Sequence, residues 1–386
     1  MRQQTSTDVA ELSRRLVDLL RAEAQAAGGS IPFDRFMELA LYAPGLGYYA
    51  AGSAKLGAGG DFTTAPEVSP LFGRCLAAQG REVLKALPGG DILEFGAGSG
   101  ALAADILSAL EREGPLPDRY LILEPSPDLQ ARQQALLAER VPWARVEWLS
   151  GLPQGFRGLV LANEVLDAMP VHRFRIGADG APLEVRVRPV GNAWEETASE
   201  PEAAALARVV RALQYQGLAA EPGFCSEVNL RLGPWLAALA GALDRALMLL
   251  IDYGYPQADY YRAERNAGTL MCHVRHQAHA DPYQDPGLQD MTAHVDFTAV
   301  ARQGIAAGLG LAGYTTQALF LIGCGLDREL AGAEPNHAID LAMGARTLVL
   351  PTAMGERFQV IGLEQGLTGP WCGFSTRDLR ARLGLD

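Results

Sequence analysis

Ile92-Leu93-Glu94-Phe95-Gly96-Ala97-Gly98-Ser99-Gly100-Ala101-Leu102 passes from a short apolar stretch through three alternating glycines into a helical pattern. Glycine here permits tight backbone torsions and lets a ligand approach the first N–H groups of the helix that follows. Leu102, Ile106 and Leu110 recur every four residues, so residues 101–112 read as that helix and 92–95 as the buried strand feeding it. The alternation continues outward. Residues 120–123, 145–149, 159–162 and 246–251 read as further strands, with helices at 129–140 and 234–243. Beyond them come a helix at 297–309, a strand near 314–319, two helices, and a last strand at 358–363. Such a succession folds as a mostly parallel sheet with helices on both faces.

With Ala101 the turn also satisfies the dinucleotide pattern G-x-G-x-x-[GA], so the glycines alone do not choose a ligand. Glu94 favours one. A carboxylate entering the turn repels a pyrophosphate but suits the ammonium group of an amino-acid tail, while the helix N-terminus takes the tail's carboxylate. Glu124 ends the next strand, placed to accept both hydroxyls of a ribose in the crevice at the strands' carboxyl ends. An amino-acid tail joined to a nucleoside describes S-adenosyl-L-methionine. The competing reading is a structural strand–helix turn with Glu94 and Glu124 as solvated strand ends.

The chain has 386 residues, 48% apolar and 20% charged, the composition of a folded protein. Its net charge of −12 argues against nucleic acid as the main partner. No apolar run approaches the roughly 20 residues that cross a bilayer. The five cysteines are scattered without a Cys-x-x-Cys, so neither a disulfide framework nor a zinc ribbon is indicated, and a cytoplasmic location is expected. His273, His276 and His279 have metal-like spacing but no supporting ligand pattern, and no metal is expected.

Ahead of the turn, residues 8–27 read as a helix, with Asp8 and Glu11 at capping-box spacing and Leu12, Leu16, Leu19 and Leu20 on one face. A second helix follows Ser30, with Pro32 in its first turn and Phe33, Phe36 and Leu39 buried. Residues 42–60 read as a loop ordered by Tyr48 and Tyr49, and 70–87 as a third helix. The expected organisation is an N-terminal helical region, 1–88, and an α/β domain, 89–386, with insertions at about 172–230 and 254–296. The first insertion carries a hairpin, 173–176 and 183–188 around Gly177-Ala178-Asp179-Gly180. Arg173, Arg175, Arg186 and Arg188 make it basic, a pattern that edge-strand protection also produces. The second insertion shows no clear element, and a loop that long inside a compact domain is usually functional. In it, His294 and Asp296 either order the loop or touch the acceptor.

Methyl transfer is an in-line displacement, so a protein must aim an electron pair and, where needed, remove a proton. The strand at 159–162 runs into Asn163-Glu164-Val165-Leu166-Asp167-Ala168-Met169-Pro170-Val171-His172, facing the methyl group in this architecture. Glu164 and Asp167 would share a face in a helical turn, where two carboxylates suit a guanidinium fork. Asp167 alternatively caps a turn before Pro170. Asp252, ending the fifth strand, is a third polar wall or a turn residue before Gly254.

Gly60-Asp61-Phe62-Thr63-Thr64-Ala65-Pro66-Glu67, residues 94–100, 163–174, Asp252-Tyr253-Gly254, Asp290-Met291-Thr292-Ala293-His294-Val295-Asp296-Phe297 and Met354-Gly355-Glu356-Arg357-Phe358 together carry a resemblance. The chain resembles the MidA-like methyltransferases, bacterial relatives of the mitochondrial enzyme that methylates an arginine on a complex I subunit. The resemblance implies a Rossmann-like class I fold: a seven-stranded, mostly parallel sheet, last strand antiparallel, with an N-terminal helical region and an inserted hairpin and lid. It implies that residues 61–67 fold against the cofactor mouth. Phe62, Thr64 and Asn163 then join Glu94, Gly96, Ala97, Gly98, Ser99, Gly100 and Glu124 around the cofactor, with Glu164, Asp167 and Asp252 at the acceptor. The third strand is followed by Ser150 and Gly151 rather than an acid, which leaves adenine to backbone groups. The implied acceptor is a protein, such as a respiratory-complex subunit; a small molecule is the alternative. A non-catalytic assembly factor on the same fold is the rival class.

Overall fold

The computed structural model describes residues 6–50, 64–274 and 277–385. Its central sheet contains β1 (Asp91–Phe95), β2 (Tyr120–Leu123), β3 (Val146–Leu149), β4 (Phe156–Asn163), β5 (Leu243–Tyr255), β6 (Gly310–Thr316) and β7 (Phe358–Gln365), in the order β6-β7-β5-β4-β1-β2-β3. Only β7 runs antiparallel to its neighbours, as the resemblance implies. An eighth, two-residue strand (Val295–Asp296) pairs in parallel with the last two residues of β5, so the sheet is one strand larger than expected. Chain order reverses between β1 and β4, which opens a crevice at their carboxyl ends.

Burial on both faces explains the unbroken apolar run of β5. Leu247, Leu249 and Ile251 pack toward the helices Pro70–Lys85 and Ala101–Glu113, while Ala246, Met248 and Leu250 face Leu232–Ala242 and Phe297–Ala306. Each of the larger side chains contributes about 1.5–3 kcal/mol by leaving water. Two close approaches set the register. Gly158 of β4 lies opposite Asp91 of β1 with φ +146°, and a Cβ there would meet the Asp91 carbonyl oxygen at 1.8 Å. Gly254 of β5 similarly has the Val295 carbonyl oxygen 2.1 Å from where a Cβ would stand.

The first insertion is larger than a hairpin. His172–Ile176 and Pro182–Val190 pair antiparallel as expected, but Cys225–Val228 and Ala193–Ser199 extend them, and Ile31–Pro32 joins from the N-terminal region. Pro32 thus pairs in a sheet and caps the helix Phe33–Tyr42 instead of opening it. The first helix begins at Ser6, so Asp8 lies inside it and not at its cap. Leu16, Leu20, Phe33 and Phe36 share one core with Val187 of the insertion. The hairpin arginines do not form a free basic patch: Arg173 and Arg175 pair with Glu196, Arg186 with Glu202 and Arg188 with Glu195.

The described residues of 254–296 form elements where sequence showed none. They hold the short helix Gln257–Tyr260 and a small sheet of Met271–Val274, Gln277–His279 and Asp290–Thr292. Their polar content hid the pattern, because short strands of three or four residues carry no periodicity of their own. In that sheet Cys272 is paired with His279, which puts His273 on the opposite face from His279; His276 lies outside the described residues. The strand expected near 314–319 ends at Thr316, which caps the helix Gln317–Gly323 through its side chain. Two more helices follow, Leu326–Ala331 and Ala338–Val349. Among the described residues no helix is long and apolar enough to cross a membrane.

Gly158→Ala should destabilise the fold by about 3 kcal/mol or more, combining left-handed strain with a clash in the middle of the sheet. Urea unfolding measures this, and a loss below about 1 kcal/mol would contradict the close approach.

Candidate active site

β1 delivers Glu94 into the crevice, where the Tyr120 hydroxyl donates to its Oε2 at 2.8 Å. Burial pushes this carboxyl up to about 7; the Tyr120 hydrogen bond opposes the rise and the Glu124 charge adds to it. Gly96, Gly98 and Gly100 turn with φ of 60°, 55° and 89°. The Gly96 N–H donates to the Leu123 carbonyl at 2.9 Å, tying the turn to the end of β2. Glu124 accepts from the Ser126 N–H at 3.0 Å and from Gln133 Nε2 at 3.1 Å, and burial raises its carboxyl as well. The same Nε2 donates to the Gly98 carbonyl at 3.0 Å, while Gln133 Oε1 accepts from Trp148 Nε1 at 2.8 Å. One fully buried glutamine therefore connects the glycine turn, the second acid and β3.

Glu94, Gly96, Ala97, Gly98, Ser99, Glu124, Asn163, Glu164 and Thr64 line a single cleft, together with Tyr42, Tyr49 and Glu67. Gly100 caps the helix beneath it, where a Cβ would press on Gln133 at 3.3 Å. Phe62 lies outside the described residues. The mouth segment is held at two points. Glu67 accepts from the Ser99 hydroxyl, and Glu164 accepts from the Ala65 N–H.

Residues 75–315 match the S-adenosyl-L-methionine-dependent methyltransferase family Methyltransf_28. The chain belongs to that family. It is a methyltransferase, its cofactor is S-adenosyl-L-methionine, and the dinucleotide and non-catalytic readings fall away. A solved structure from Burkholderia thailandensis, described as a COG1565 superfamily member and bound to S-adenosyl-homocysteine, is 40% identical. The alignment covers 98% of this chain and 99% of that one, with a TM-score of 0.92. The Drosophila melanogaster protein arginine methyltransferase NDUFAF7 homolog is 29% identical over 93% of this chain and 88% of its own length. Human NDUFAF7, a mitochondrial protein arginine methyltransferase, is 28% identical over 87% of this chain and 80% of its own.

The acceptor side of the methyltransferase cleft is built by the segment leaving β4. It is not a helical turn, so Glu164 and Asp167 do not share a helix face. Glu164 instead takes a left-handed φ of +54°, and its N–H donates to the Ile251 carbonyl at 2.9 Å. Its partly buried carboxyl accepts from Asn163 Nδ2 at 3.1 Å. Burial first, and the nearby Asp167 charge second, push that carboxyl up to about 8. Asp167 is buried beside the cleft without lining it. Its Oδ2 accepts from the Tyr253 hydroxyl, and its Oδ1 has no hydrogen-bond partner among the described residues.

Asp252 is not a wall of this crevice. It is 0% exposed. Its Oδ2 accepts from the N–H groups of Leu166 and Asp167 at 3.0 and 3.2 Å, and its Oδ1 from the Tyr253 N–H at 2.9 Å. His294 and Asp296 also order structure: the His294 ring stacks on Tyr255 and meets the edge of Tyr253, while Asp296 caps the helix Phe297–Ala306.

Sequence reasoning missed Gln133, Tyr42 and Tyr253. Gln133 had a faint signal: it stands four residues before Leu137, in the only buried stripe of the helix Pro127–Arg140. Tyr42 donates to the Ala168 carbonyl at 2.9 Å and stacks on Tyr49, whose hydroxyl reaches Asp290 at 2.9 Å. The hydrogen bonds to Ala168 and Asp290 cross more than a hundred residues and leave no local mark.

Asp252→Ala would strand three buried N–H groups. It should cost about 2–4 kcal/mol and weaken S-adenosyl-homocysteine binding together with turnover. A variant with unchanged thermal stability and a loss confined to kcat would instead make Asp252 a chemical participant.

Proposed function

We propose that this methyltransferase transfers its methyl group to an arginine side chain of a partner protein. One observation carries the reading. Glu164 lines the cofactor cleft with the buried Asp167 charge close to it, and no cation among the described residues neutralises either. Two neighbouring acids raise one another's proton affinity until a cation arrives, and a guanidinium offers the planar donors that match a carboxylate. The names of the Drosophila and human relatives point to the same acceptor.

In this reading Glu94 takes the cofactor's ammonium group and Glu124 its ribose hydroxyls. The cleft fits such a group: two buried acids face it from adjacent strand ends, with apolar Leu129 and Val165 in the same lining. The bound cofactor supplies an electrophilic methyl on a sulfonium. Glu164 holds the guanidinium so that one nitrogen's electron pair is aimed at that carbon, and Asp167, held by Tyr253, adds a second negative charge behind the lining. As the nitrogen acquires the methyl it becomes acidic, and the Glu164 carboxylate beside it receives the proton. The Tyr42–Tyr49 stack walls the cleft from the N-terminal side.

Glu94 must be ionised to hold an ammonium group, and its carboxyl is raised to about 7 in the free protein. Binding of S-adenosyl-homocysteine should therefore weaken as pH falls below about 7, by up to roughly tenfold per unit, with proton release on binding. Glu94→Gln should bind weakly at every pH and flatten the profile in titration calorimetry. A wild-type affinity constant between pH 5.5 and 8.5 would remove Glu94 from the ammonium site.

Glu164→Gln keeps an acceptor for the Ala65 N–H but loses the charge. Turnover with labelled cofactor and cell lysate should fall by roughly tenfold to a hundredfold, about 1.4–2.7 kcal/mol, with S-adenosyl-homocysteine affinity little changed. Mass spectrometry of the labelled product should find methylarginine. Label only in small molecules would overturn the protein acceptor, and wild-type turnover of the variant would overturn the carboxylate grip.

A further inference from the structure

A second cavity, of about 520 Å³, lies on the other side of the segment leaving β4, within the usual size range of small-molecule sites. Leu166 and Val171 of that segment face this cavity, whereas Val165 and Ala168 face the cofactor cleft. The opposite wall is the insertion helix Ala204–Tyr215, and the third is the start of Leu232–Ala242 with Phe297–Ala306.

Apolar side chains predominate in its lining, and two arginines stand among the polar ones. Leu166, Leu213, Val228 and Leu232 are buried in its depth. Two acids also stand in the lining, and the buried Oε1 of Glu227 has no hydrogen-bond partner among the described residues. Glu227 accepts from the Thr269 N–H at 2.9 Å and faces Arg173 at 3.7 Å, and Asp296 accepts from the Ala299 N–H at 3.0 Å. At the rim, Arg208 is exposed and bonds to no described residue. Arg302 is exposed too, using part of its guanidinium on Gln257 and the Gly384 carbonyl. The first turn of Leu232–Ala242 opens on the same space and adds the positive end of a helix dipole.

We propose that this second cavity binds a small amphipathic carboxylate, its acyl chain in the apolar interior and its carboxylate at the Arg208–Arg302 rim. The two halves of such a molecule match the two halves of the cavity. An apolar molecule without charge would leave Arg208 without a partner among the described residues, and an anion without a chain would leave the interior unfilled. The inference is independent of which acceptor the methyltransferase uses.

Titration calorimetry of the full chain with decanoate, below micelle-forming concentration, tests this. One saturable site is expected. Octanoate should bind roughly fifteenfold more weakly, since each methylene lost from an apolar site costs about a factor of four. Decanol should bind at least tenfold more weakly than decanoate. The double variant Arg208→Glu/Arg302→Glu should lose decanoate by at least tenfold, and Val209→Trp should fill the cavity and abolish binding. S-adenosyl-homocysteine affinity, read in parallel, identifies variants that remain folded. The proposal is overturned by absence of saturable decanoate binding, by decanol binding as tightly, or by decanoate binding that the arginine variant leaves intact.

Discussion

A chain that leaves the middle of a parallel sheet and turns sharply must find acceptors for N–H groups that no neighbouring strand can satisfy. Asp252 provides them. Its two oxygens take the N–H groups of Leu166, Asp167 and Tyr253 in a place without exposure to water, while the Ile251 carbonyl takes that of Glu164. The ends of β4 and β5 are thereby locked to one another. The left-handed backbone of Glu164, which costs about 1–3 kcal/mol for a residue with a Cβ, persists because this lock over-determines it. Everything at the acceptor side follows: Val165 against Gly96, Asp167 against Tyr253, and Ala168 against the Tyr42 hydroxyl.

Charge is distributed unevenly between the structural and the chemical parts of this methyltransferase. On the insertion sheet each arginine of the hairpin meets a carboxylate, and the result is electrically quiet. Around the cleft the opposite holds. Glu94, Glu124, Glu164 and Asp167 gather with their carboxyls raised by burial, and none of the four has an ion pair among the described residues. Glu124 is eased by Gln133 and the Ser126 N–H, which are neutral donors. Such a site is destabilised in the absence of ligand and is relieved by cations, which is a property of binding sites more than of cores.

The α/β fold was legible because its evidence is local. Glycines at alternate positions, Leu102, Ile106 and Leu110 at helical spacing, and apolar runs of strand length declare themselves within a dozen residues. Glu94 and Glu124 were legible for the same reason, being anchored to strand ends. Asp252 reads in sequence as the end of its strand, whereas β5 continues to Tyr255, and two of the N–H groups it accepts from lie eighty-odd residues away. The insertions resisted for a related reason: the hairpin turn at residues 177–180 announced itself, whereas the sheet it belongs to is completed by Ile31, far upstream, and by Cys225, far downstream. The second insertion, rich in His, Asp and Tyr, folds into strands too short to show a period. Glu164 and Asp167 were placed on a helical face by spacing alone, and a left-handed residue that is not glycine gives no warning in sequence.

The strand pairing of Ile31 with Val187, and of β5 with β7, also sets a timetable for the newborn chain. At about 5–20 residues per second of synthesis, the first helices wait on the order of ten seconds or more for the strand that covers them. β5, the most apolar strand of the sheet, keeps an open edge until residues near the far end of the chain have left the ribosome. Over that interval the nascent protein carries two unmated hydrophobic edges. Its yield in a cell will therefore depend on how well chaperones shield those edges, more than on the stability of the finished sheet.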